Sequence, residues 1–128
     1  MKQFKILSII ILLFTVLPLS AQTFQVTDMQ FGNSISEYTK QKKKSQGLGS
    51  MAKLSVFDND AKLELMDSEG KIEGNIILEK QADGNFVYKE GAYRIILKIE
   101  SILGYYKALK IETWEDKELL WTTYLKRK

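Results

Sequence analysis

The chain has no cysteine and no histidine among its 128 residues. Without cysteine there are no disulfides, no thiolate metal sites, no cysteine nucleophile and no lipid-modified cysteine behind an export leader. An exported domain of this kind is held by its core rather than by staples. Without histidine the commonest general base and the commonest transition-metal ligand are gone. With both missing, zinc and copper sites lose their usual donors. No Ser-x-x-Lys on a helix supplies another base, and Gly47-Leu48-Gly49-Ser50 lacks the lysine and the preceding strand of a phosphate-cradling loop. Carboxylates remain. Glu64 with Glu73, and Glu100 with Glu112, are expected as cross-strand neighbours on an outer face. Such pairs can hydrolyse glycosides, but solvated strand faces account for them more simply. The expectation is a binding protein with no cofactor, no metal and no catalytic residue.

Long apolar runs are nearly absent too. One stands at the start, where Ile6 to Leu17 is broken only by Ser8 and Thr15. Lys2 and Lys5 precede it and Pro18-Leu19-Ser20-Ala21 follows, the charged, apolar and small-residue order of a secretory signal peptide. The run is short for a span of ~20 residues. Residues 1–21 are therefore expected to be cleaved, leaving residues 22–128 secreted or periplasmic, with no membrane span afterwards. The formal net charge of +3 falls to about +1 when Lys2 and Lys5 leave. A near-neutral domain argues against a nucleic-acid partner. Roughly 107 residues make one domain that buries around two-thirds of its unfolded surface.

What the chain does have is alternation. Phe24, Val26, Met29 and Phe31 alternate with a slip near Thr27-Asp28, which reads as a bulged first strand. From Met51 onward the period is two. The inward series are Ala52-Leu54-Val56, Ala61-Leu63-Leu65, Ile72-Gly74-Ile76-Leu78, Phe86-Tyr88, Tyr93-Ile95-Leu97-Ile99, Tyr105-Lys107-Leu109-Ile111-Thr113 and Leu119-Trp121-Thr123-Leu125. Turn residues separate them: Asn59-Asp60, Asp67-Ser68-Glu69-Gly70, Asp83-Gly84, Glu90-Gly91, Leu103-Gly104 and Glu115-Asp116-Lys117. Strands joined by short turns run antiparallel. The expectation is an all-β, up-and-down meander of about eight strands. No helix is available to cover its apolar face, so it closes into a small barrel; the alternative is a two-sheet β-sandwich. Lys53, Glu64, Glu73, Arg94, Lys98, Lys110 and Glu112 fall mid-strand, against an outer-membrane barrel, where midplane charges cost several kcal/mol each.

Between the first strand and the meander lies a polar stretch at 33–50. It carries Lys40-Gln41-Lys42-Lys43-Lys44 and reads as a flexible basic connection or a short helix. The lysines could touch a phosphate or an acidic polymer, though a solvated loop is the simpler account. A second segment, Asp58 to Gly70, DNDAKLELMDSEG, opens like a calcium loop. Lys62 and Leu63 then occupy positions that need an oxygen and a glycine, so two turns around a strand is the better reading.

Aromatics crowd the C-terminal half. Phe86, Tyr88, Tyr93, Leu97, Leu109 and Trp121 share the inward parity and are the candidate ligand-binding residues, for a small apolar or amphipathic ligand inside the barrel. Phe57, Tyr106, Trp114 and Tyr124 share the outward parity and are the candidate partner surface, for an envelope or extracellular protein held or inhibited there. The order of parts (leader, strand, long connection, meander) resembles that of calycin-like barrels such as lipocalins. That resemblance is architectural and implies a lid segment near an open end. The family's early Gly-x-Trp is missing, since Phe31-Gly32-Asn33-Ser34 has no tryptophan.

Overall fold

Alternating apolar and polar side chains force a strand to hide one face, and in this chain consecutive strands hide theirs against one another. The computed structural model describes residues 22–128; the leader read at residues 1–21 lies outside the described residues. Eight strands follow in order: β1 (Gln22–Phe31), β2 (Met51–Val56), β3 (Asp60–Met66), β4 (Ile72–Lys80), β5 (Phe86–Glu90), β6 (Tyr93–Ile102), β7 (Tyr105–Glu115) and β8 (Glu118–Arg127). Each pairs antiparallel with the next, and β8 pairs with β1, so the sheet closes into an up-and-down barrel. The expected closed meander is what forms, and the sandwich is not.

The slip in the first strand is real. The β1–β8 register shifts between Val26 and Asp28. The extra residue returns Met29 to the inner face occupied by Phe24 and Val26, and all three are buried. The stretch Asp58 to Gly70 is a strand between two turns. Phe57 N–H donates to the Asp60 carbonyl at 2.8 Å, so Asp58 and Asn59, not Asn59 and Asp60, form the reversal. Neither takes positive φ. At the other end Asp67 Oδ1 accepts from the Glu69 and Lys71 amides, each at 2.9 Å. The Asp67 carboxylate is thus committed to its own turn, with Gly70 at φ 89°.

The core fills one end of the barrel. Phe24, Leu54, Leu63, Leu78, Leu97 and Leu125 are the largest fully buried side chains, joined by Ala61, Phe86 and Leu109. At the other end β1 stops and β2 starts, so the connection between them must leave from and return to the same rim. Residues Glu37–Gly47 of that connection form an α-helix, α1. Of the two readings for residues 33–50, the short helix holds. Ser36 Oγ caps it by accepting from Thr39 N at 3.2 Å, and Glu37 pairs with Lys40 at 3.3 Å.

Two seams decide how tight the ring is. At β1–β8, Gly32 N–H donates to the Leu120 carbonyl at 2.8 Å. Any Cβ on Gly32 would run into the Leu119 carbonyl oxygen, part of the backbone, which cannot swing aside. Gly32→Ala is expected to destabilise the fold by about 2 kcal/mol, within the usual range for overpacking; urea denaturation followed by tryptophan fluorescence measures it. The β4–β5 seam is the loose one. Only Glu79 and Lys80 of β4 pair with β5, through Val87 and Phe86. Toward the α1 end the two strands part.

Candidate functional site: a half-empty lumen under a polar helix

The end of the barrel beneath α1 is hollow. A cavity of about 380 Å³ lies there. Its walls are Val26 and Met29 from β1, Ala52 from β2, Leu63 and Leu65 from β3, Ile76 from β4, Ile95 from β6, Ile111 from β7, and Trp121 and Leu125 from β8. No β5 residue reaches it. This follows from the parted β4–β5 seam. Leu65 and Ile72 at this end are 40% and 57% exposed, so apolar side chains stand at the mouth.

A few polar groups stand among these walls. Thr113 and Thr123 line the cavity from β7 and β8, and Lys43, Gln46, Ser50 and Glu73 border it near the rim. An apolar pocket with a small number of polar groups is the usual composition of a small-molecule site. The volume lies toward the low end of the common range of roughly 300–1,000 Å³.

The helix above this space has no buried residue. It is fixed at a few points. Its C-terminal end is tied to β1, where Val26 N–H donates to the Ser50 carbonyl at 2.8 Å and Gly49 N–H to the Val26 carbonyl at 3.1 Å. Gly47 comes so close to Met29 that a Cβ there would stand 2.7 Å from the sulfur. Lys43 Nζ lies 4.8 Å from the centroid of the Trp121 ring, a cation–π contact that pins the middle of the helix across the mouth. Phe31 backs the same ring, with centroids 6.4 Å apart.

The inward aromatics separate by height. Trp121 lines the cavity. Phe86, Leu97 and Leu109 are buried in the filled end, and Tyr88 packs against that core. Tyr93 is 51% exposed. Two tyrosine hydroxyls meet carboxylates. Tyr88 donates to Glu90 at 2.9 Å, and this hydrogen bond, with the Glu90 charge, raises its pKa above the ordinary phenol value. Glu115 does the same to Tyr93. Sequence parity missed Met29, Leu65, Ile76, Ile95, Ile111, Thr113 and Thr123 as wall residues, although all are apolar or small and of inward parity.

The outward aromatics do not gather. Phe57 sits in the β2–β3 turn, and Tyr106 packs against the core. Trp114 lies under Arg94, with 5.3 Å from the guanidinium carbon to the ring centroid. Tyr124 donates to Gln30 at 3.2 Å. The large apolar side chains that are exposed lie elsewhere, among them Ile102, Leu103 and Tyr105.

The carboxylate pairs expected from sequence are not neighbours. Glu64 stands opposite Asn75, and Glu73 falls in a register shift. Glu100 stands opposite Ala108, and Glu112 opposite Ile96. Glu112 is buried on the outer wall and fully engaged. Lys98 reaches it at 3.4 Å, Lys110 at 3.7 Å, and Trp114 Nε1 donates to it at 3.2 Å. These contacts tie β6 and β7 together around Glu112. Among the described residues no group of three or more acids could hold a metal ion, and no helix is long and apolar enough to cross a membrane.

The class that this geometry defines is an eight-stranded antiparallel up-and-down barrel, closed at one end by its core and roofed at the other by a polar helix. Comparison with protein-family models, curated proteins and solved structures gave no match.

Proposed function

We propose that the barrel is an exported binding protein that carries or senses a small apolar or amphipathic molecule in the lumen beneath α1. The observation that carries this reading is the cavity of about 380 Å³ with mostly apolar walls. Interiors normally pack densely, and a filled core already occupies the other end, so the empty end is not needed to hold the fold. Thr113 and Thr123 give a ligand two hydroxyls to orient against, while Lys43 and Glu73 leave room for a polar head at the rim. Export through residues 1–21 is part of the same proposal, supported by the charged, apolar and small-residue order of that stretch. No acid–base constellation is assigned, and the protein is read as a non-enzyme.

Titration with a solvatochromic dye, together with native mass spectrometry of the purified protein, tests it. One molecule of dye per barrel, with micromolar affinity and displacement by a single-chain fatty acid, is expected. Absence of dye uptake together with ligand-free mass spectra after incubation with amphiphiles would remove the reading.

A further inference from the structure

The end of the barrel away from α1 carries a feature that lumen binding does not use. The β6–β7 hairpin turns through Leu103 and Gly104, at φ 50° and 84°, both in the left-handed region. Tight hairpins of this kind favour Asn-Gly, since a branched side chain strains the first position. Leucine sits there nonetheless, and it is 96% exposed. It therefore carries two costs, one in backbone strain and one in bare isobutyl surface in water, that an asparagine would avoid. Ile102 and Tyr105 flank it and are 37% and 43% exposed. The result is a projecting apolar tip.

The wall behind the tip is basic. Two adjoining grooves of about 490 and 400 Å³ run along the outside of β6, β7 and β8 and share Glu100, Ala108 and Lys126. Lys98 and Lys110 border one, and Lys107 and Arg127 the other. Arg127 also stacks over Tyr105 at 5.4 Å, which joins the basic wall to the apolar tip. Glu112 already engages Lys98 and Lys110, and Glu100 meets Lys107 only at 4.0 Å. Lys126 and Arg127 have no carboxylate partner within salt-bridge distance among the described residues. Of the other turns at this end, β2–β3 carries Asp58 across the ring and β4–β5 carries Asp83 two strands away. The basic wall thus borders the apolar tip.

We infer that this corner of the barrel docks on an anionic lipid surface, with Leu103 entering the interface and the cations of the β6–β8 wall meeting lipid phosphates. A tip of apolar side chains beside a basic patch is the composition that gives reversible attachment, because apolar burial and attraction to anionic headgroups add. The inference is independent of what the lumen holds.

Co-sedimentation with vesicles tests it, using phosphatidylcholine mixed with phosphatidylglycerol against phosphatidylcholine alone. The protein is expected to sediment with the anionic vesicles, to remain in solution with the neutral ones, and to detach in high salt. Leu103→Asn tolerates the left-handed turn better than leucine, so its urea midpoint should hold or rise, yet its vesicle affinity should fall about tenfold. Lys107→Gln and Arg127→Gln should each weaken binding about fivefold. Failure to sediment with anionic vesicles, or binding by Leu103→Asn equal to that of the unaltered protein, overturns the inference.

Discussion

Phe24→Ala is expected to cost about 3–5 kcal/mol of folding stability, the usual range for truncating a buried phenylalanine. Phe24 has no exposed surface and lies in the filled half of the lumen. It also sits on the strand that closes the ring, opposite Ala52 on β2 and Arg127 on β8. Its neighbours on both sides are held in register by backbone pairing, so they cannot collapse into the space an alanine would leave. A domain of this size has roughly 5–15 kcal/mol in total, so a large share of the stability goes. Urea titration should give a lower midpoint with an unchanged slope, because the surface exposed on unfolding hardly alters.

Thr123→Trp should act in the opposite manner. Thr123 lines the hollow half, opposite Ile111 on β7 and Met29 on β1. An indole placed there enters empty space rather than a packed core. Stability should change by less than about 1 kcal/mol, below the usual cost of overpacking. Dye affinity should fall at least tenfold, because the indole takes the ligand's volume. The two variants together separate the halves of the lumen: one loses fold, the other loses binding. A Thr123→Trp protein that still takes up dye as tightly as the unaltered one would place the ligand elsewhere.

Why strand count, turns and the β1 bulge could be read from the chain, while the cavity wall could not, has a physical reason. A period of two tells which side of the sheet a residue faces. It does not tell how high along the barrel axis that residue lies, which depends on register and stagger between strands. Leu97 and Trp121 share a parity, yet one is core and the other bounds the cavity. The same gap explains the acid pairs. Glu100 and Glu112 face outward on adjacent strands, but the register sets them opposite Ala108 and Ile96. The helix was ambiguous for a different reason. Glu37 to Gly47 buries nothing, so no apolar stripe marks it; only Ser36 followed by the Glu37–Lys40 pair hints at its start. Asn59-Asp60 was displaced by one position because a turn can be closed without left-handed residues, as Asp58 and Asn59 do.

The parted β4–β5 seam gives the molecule a direction of yielding. A hoop with one weak joint bends at that joint before anywhere else, and here the joint is two residue pairs long. Local opening is therefore expected first along β4 from Ile72 to Leu78, which would give the ligand proposed for the lumen a sideways path through the wall.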